Sequence, residues 1–191
     1  MTWMACGFVL LFTLQQVNAT PRLLATIVAR YGRGGARLGL AAIVLAATAM
    51  ILIGHARAAY TYVWLPPAQV RTLILPLMFI AFIFVAAALV PSNLRCFTRR
   101  PALWGVVLWS VAHLLAKENL AAIVFFAGFG LLALAELGSL SRRGITRSRQ
   151  YQAWLRESLT VAVGGIMFIV VFFAHGALFG ASPAMLSRPF G

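Results

Sequence analysis

The chain is poor in carboxylates. Glu118, Glu136 and Glu157 are its only acidic residues, against 16 lysines and arginines, and aspartate is absent. No two of the three converge by spacing, so the paired carboxylates of general acid–base catalysis are not written here. Plainer roles are expected: Glu136 and Glu157 border a basic loop and should form ion pairs with its arginines, and Glu118 neighbours Lys117 in a tight turn. Two cysteines, Cys6 and Cys96, fall at opposite ends of the topology set out below. That separation is far beyond the ~7 Å Cα limit of a disulfide, so both should be free thiols. Charged residues make up 10% of the chain, far below the roughly 25% of soluble domains. Serine-hydrolase, P-loop and zinc-finger patterns are missing.

What is abundant is apolar surface. Of the 191 residues, 62% are hydrophobic, and the mean hydropathy is +0.93. The length suits one domain over residues 1–191, and the composition belongs in a lipid bilayer. Six apolar runs, at about 3–17, 38–54, 73–90, 102–116, 120–137 and 159–179, predict an all-α polytopic transmembrane bundle of about six helices. Several runs are short for a hydrocarbon core of about 30 Å, so flanking Trp, Tyr and Arg must reach the interface. The third run is apolar all round and should face lipid or a partner on several sides. The first ends in Val17-Asn18-Ala19, loosely like a signal-peptidase site, but lacks a positively charged start; a retained first helix is expected.

A net charge of +13 attracts phosphate in principle, but no basic soluble domain is present to bind nucleic acid. The basic residues instead lie in short loops. The first loop carries Arg22, Arg30, Arg33 and Arg37, the third Arg95, Arg99 and Arg100, and the fifth Arg142, Arg143, Arg147, Arg149 and Arg156. The other side holds Arg57, Arg71, Lys117 and Arg188. Twelve against four puts the odd loops in the cytoplasm and both termini outside. Tyr60, Tyr62 and Trp64 follow the second run as an interfacial belt, and Pro66-Pro67 breaks any helix there. The fifth loop, Ser139 to Glu157, is the most polar stretch. It should be the most mobile segment, with a short amphipathic surface helix around Tyr151–Leu155.

In this frame the three histidines, His55, His113 and His175, lie at similar depth near the outer face. Imidazole is the commonest metal ligand and a haem axial ligand, and ionisable groups in spanning segments are costly enough to suggest function. Each histidine could equally be interfacial or hydrogen-bonded within the bundle. Ser110, His113 and Lys117 share one helix face by their spacing, with Trp109 one turn before His113. This polar stripe should point into the bundle. Lys117, Arg57 and Arg71 lie toward the same outer face, where they could pair with haem propionates or serve as interfacial anchors. Gly176 and Gly180 form a G-x-x-x-G step after His175, which permits close helix approach.

The order of several landmarks resembles the NnrU family. They are Trp64-Leu65-Pro66-Pro67, Val90-Pro91-Ser92-Asn93-Leu94, Arg99-Arg100-Pro101-Ala102-Leu103-Trp104-Gly105-Val106, Leu108-Trp109-Ser110-Val111-Ala112-His113-Leu114-Leu115-Ala116 and Ser139-Leu140-Ser141-Arg142-Arg143. The resemblance spans nearly the whole chain. It implies a multi-pass protein of the bacterial inner membrane, with both termini periplasmic, linked to denitrification and nitrogen-oxide metabolism. Through the related plant cis-zeta-carotene isomerase it also implies haem b with histidine ligands, here His113 and His175, and an isomerase-like activity on an apolar polyene. His55 has no counterpart. The family commonly has a histidine where this chain reads Gln15 or Gln16, commonly reads Arg-His-Pro at Arg99-Arg100-Pro101, and usually has Asn-Gly-Asp at Lys117-Glu118-Asn119. Glutamine is a poor haem ligand and arginine an unusual one. A non-catalytic accessory subunit of a larger membrane complex is therefore the alternative expectation. A third is a relic, at Arg100–Gly105, of small membrane methyltransferases.

Overall fold

The computed structural model describes residues 1–144 and 151–179. Eight helices lie among them: α1 (Thr2–Ala19), α2 (Pro21–Ala56), α3 (Ala68–Arg71), α4 (Ile74–Leu89), α5 (Leu94–Phe97), α6 (Pro101–Leu114), α7 (Leu120–Arg142) and α8 (Trp154–Phe179). The six apolar runs become the six long helices, and α3 and α5 are single turns in the connections. The fold is all-α as expected. Four stretches are long and apolar enough to cross a membrane by length and composition: Pro21–Ala56, Gln69–Leu89, Leu120–Arg142 and Trp154–Leu178. The 14 residues of α6 rise only about 21 Å, so its ends rely on the flanking turns.

Close contacts at small residues fix the packing. α1 lies against the second half of α2 in antiparallel register, with Met4 beside Gly54 and Gly7 beside Ala47 and Ile51. A Cβ on Gly7 would lie 2.6 Å from the Ala47 carbonyl oxygen. α7 packs on α1 and α6, and α4 sits between α6 and α8. A Cβ on Gly105 would lie 2.9 Å from the Ala81 carbonyl oxygen. Such absences of side chain let backbones approach where lipid leaves no hydrophobic drive between helices. The third run is thus covered on two sides as α4, while Phe79, Ile80 and Leu89 stay exposed.

Two connections differ from expectation. The four arginines of the first loop are helical, because α2 starts at Pro21 directly after Thr20. Proline suits the first helical position, and Leu24, Ile27 and Val28 are half-buried while Arg22 and Arg30 are exposed. That is an amphipathic pattern whose arginines hide it from a search for apolar runs. Gly32 then interrupts the helix at φ 70, ψ 166, a conformation essentially restricted to glycine. On the other connection no separate surface helix forms around Tyr151–Leu155: α7 runs on to Arg142 and α8 begins at Trp154. Arg147, Arg149, Gly180 and Arg188 lie outside the described residues.

The antiparallel packing collects the start of α1, α4 and α7 and the end of α2, α6 and α8 at one end of the bundle. All three histidines are there. The opposite end carries α5, the start of α6 and α8, and most of the arginines. Cys6 on α1 and Cys96 on α5 sit toward opposite ends and are free thiols.

Candidate functional site

α6 delivers the polar stripe in part. Ser110 is 2% exposed against Gly130 of α7, and His113 occupies the last turn. Lys117 falls past Leu114, in the turn to α7, so it leaves the helical face that spacing assigned to it. Asn119 accepts a 2.7 Å hydrogen bond from the Ala122 N–H and caps α7.

Around His113 the walls are aromatic. Its ring stacks on Phe126 at 4.3 Å between centroids, with Trp109 at 5.1 Å. The His113 Nδ1 lies 2.9 Å from the Trp109 carbonyl oxygen. A carbonyl only accepts, so Nδ1 carries the proton, and in the neutral ring the lone pair is left on Nε2. α8 brings His175 to 6.4 Å between ring centroids, with the planes 25° apart. His55 joins this group through phenylalanines, packing on Phe125 at 4.9 Å, which packs on Phe126 at 5.2 Å. The structure therefore pairs His113 with His175 and sets His55 behind an aromatic layer, its Nδ1 buried without a hydrogen-bond partner. Arg57 ends α2 with its N–H on the Ile53 carbonyl, at the same end of the bundle as Lys117. Among the described residues no group of three or more His, Cys, Asp or Glu converges.

The aromatic wall was missed by sequence reasoning, although Phe125, Phe126 and Phe129 recur at helical spacing. Phe129 reaches Trp109 at 6.0 Å and Phe8 of α1 at 5.3 Å. A second feature, on the same helix as His175, is an open apolar groove of about 540 Å³ between α4 and α8, lined by Leu75, Pro76, Phe79, Phe168, Ile169, Phe172 and Phe173. Phe172 precedes His175 by three residues on the same helix.

A clip joins two connections at this end. Tyr62 bridges Asn119, Val63 N–H donates to Glu118 at 2.9 Å, and Leu120 N–H donates to Thr61 at 2.8 Å. Trp64 Nε1 donates to the Lys117 carbonyl at 3.1 Å, and Tyr60 donates its hydroxyl to Glu118 at 2.7 Å. That hydrogen bond, reinforced by desolvation and by the carboxylate charge, raises the Tyr60 pKa above the ordinary tyrosine value.

Residues 3–183 match the NnrU protein family. The chain belongs to the NnrU family. No curated protein and no solved structure matches it.

Two of the stretches that carry the resemblance lie at joints between helix ends. Trp64 belongs to the clip. Ser92 and Asn93 dock on α8: the Ser92 hydroxyl donates to Glu157 at 3.2 Å, and the Asn93 N–H donates to the same carboxylate. Asn93 also exchanges hydrogen bonds with the Gln152 backbone, accepting its N–H at 2.6 Å and donating to its carbonyl at 3.3 Å. Glu157 thus serves the Ser92–Asn93 turn; among the described residues it has no ion pair, and Arg147 and Arg149 of the neighbouring loop lie outside them. Glu136 does form one, with Arg143 at 2.9 Å. Of the residues standing where the resemblance implies a histidine, Gln15 or Gln16 and Arg100, it is Gln15 and Arg100 that line one cavity of about 530 Å³ with Asn18, Glu136 and Arg143. Gln15 donates to the Leu132 carbonyl at 2.9 Å. Nothing in their spacing announced that meeting, since the two lie on different helices far apart in sequence.

Proposed function

We propose that this NnrU protein holds haem b between His113 and His175, in the bacterial inner membrane with both termini periplasmic, and acts on an apolar polyene by cis–trans isomerisation. What supports this most is the 6.4 Å spacing of the two imidazole rings. The two imidazoles, of a type that holds haem iron, are brought side by side from different helices, α6 and α8, within reach of one cofactor. Haem brings four ring nitrogens of its own, so two histidines suffice where no larger ligand cluster is described. The Trp109 carbonyl fixes the His113 tautomer, so Nε2 would be the atom that holds the iron.

When bound, haem supplies a redox-active iron able to exchange electron density with a conjugated chain. The protein's part is positioning and exclusion of water. Trp109 and Phe126 pack on the His113 ring with Phe125 behind them, Lys117 and Arg57 at the same end of the bundle would meet propionates, and the open apolar groove beside Phe172 would suit an elongated hydrocarbon. The same dry walls also suit a small neutral nitrogen oxide, in keeping with the family's link to denitrification.

The test is a reduced-minus-oxidised pyridine haemochrome spectrum of the purified chain beside His113→Ala and His175→Ala. A b-type signal in the wild type, lost in both variants, is the expected result. Nitric oxide perturbing that spectrum while a carotenoid leaves it unchanged would select the nitrogen-oxide reading. A folded protein that shows no Soret band after haem supplementation would overturn both and leave the accessory-subunit role, which stoichiometric co-purification of a partner in mild detergent would then support.

A further inference from the structure

At the end of the bundle opposite the histidines, a cavity of about 220 Å³ is lined by Phe97, Thr98, Arg99, Trp104, Leu137 and Ser141. Two of its residues, adjacent in sequence, each bury a polar atom with no hydrogen-bond partner: the Thr98 hydroxyl and the Arg99 Nε. An orphaned buried donor is costly, and two at one cavity ask for an acceptor. The rest of the Arg99 guanidinium is held in place, its Nη1 donating to the Ser141 hydroxyl. Among the described residues no carboxylate lines the space. The volume is several times the roughly 30 Å³ share of one water molecule.

We propose that this cavity binds the phosphate of an anionic phospholipid. Arg99 Nε is a donor only, and the Thr98 hydroxyl can donate beside it, so the pair matches an oxygen-rich anion. The remaining walls, Phe97, Trp104 and Leu137, are apolar and sit beside the polar ones. Phe97 is 64% and Trp104 40% exposed, which opens the cavity sideways to the bilayer. Half a polar socket and half an apolar trough is the shape of a headgroup with the first carbons of its chains, and a free anion has no use for the second half. The position agrees, because this end carries most of the arginines, and basic residues at the cytoplasmic surface attract anionic lipid. The site shares no residue with the histidine pair and stands whether or not haem is bound there.

The experiment is native mass spectrometry of the full chain, delipidated in mild detergent, with phosphatidylglycerol, phosphatidylcholine or inorganic phosphate added in turn. Phosphatidylglycerol should be retained as a single adduct, with Arg99→Gln and Thr98→Val each weakening retention about tenfold and Thr98→Ser preserving it. Thr98→Val matches the wild-type shape, and an unchanged helical circular dichroism signal and elution volume certify the variants as folded. Equal retention by wild type and both weakening variants would overturn the site. Phosphatidylcholine or inorganic phosphate binding as tightly as phosphatidylglycerol would overturn the assignment to anionic lipid.

Discussion

Tyr60 and Glu118 show how little chemistry a side chain needs in order to be informative. The Tyr60 pKa is raised, chiefly by its hydrogen bond to Glu118. A group whose folded pKa exceeds its unfolded value contributes stability below the unfolded value, near 10 for tyrosine, and loses it as pH rises through the folded value. The link is therefore intact at neutral pH and opens only in alkali. Tyrosinate absorbance should show a late-titrating component from Tyr60, and Glu118→Gln should return it toward the ordinary range. At the other end, Asn93→Ala removes both side-chain bonds to Gln152 and leaves backbone groups unpaired, so it should destabilise the protein by about 1–3 kcal/mol, read as a lower melting temperature in detergent. At this scale the sequence was a partial guide. The three histidines stood out because imidazole is rare and costly inside a spanning helix, and the pairing of Glu136 with Arg143 followed from one helical neighbourhood. The phenylalanines between His55 and His113 did not stand out, since a ring in an apolar helix carries no mark of what it packs against.

Helices reveal themselves in sequence through their apolar runs, and their contacts through residues with nothing to contribute. Gly7 and Gly39 lie on the paired helices α1 and α2 and look alike in sequence. A side chain on Gly7 would strike the Ala47 carbonyl at 2.6 Å, whereas Gly39 has nothing within 4 Å. Gly7→Leu should therefore separate α1 from α2 and cost at least the 1–3 kcal/mol typical of overpacking. Gly39→Ala should be neutral or stabilising by about 0.4–1 kcal/mol, through the unfolded chain. Thermal melts of the two variants should move in opposite directions or leave the second unmoved. Gly32→Ala should cost about 1–3 kcal/mol, because its backbone sits where only glycine rests easily. The apolar segments were legible here to within a few residues. The first half of α2 was not, because its exposed arginines broke the run that its buried leucine, isoleucine and valine would otherwise have made.

For the molecule as a whole, the arginines gathered at one end predict the orientation. In a chain with Cys6 and Cys96 replaced by alanine, Tyr62→Cys should react with an impermeant maleimide in intact cells, and Arg33→Cys only once the membrane is opened. The reverse pattern would invert the topology. The alternation of basic and nearly neutral connections made the two ends legible, while the order of helices around the bundle was not, because it is set by backbone approach at glycines spread over five helices.

The break at Gly32 has a mechanical meaning for this arrangement. The φ 70, ψ 166 step at Gly32 turns residues 21–31 off the line of the second half of α2, and Leu24 enters the cavity it shares with Leu11, Leu14 and Val44 while Arg22 and Arg30 face outward. The segment is an arm bounded by Thr20 and Gly32, basic on its outer side. An arm of that kind resting on lipid headgroups acts as a flange, and it should hold the hairpin, and with it His55 far along the same helix, at one depth.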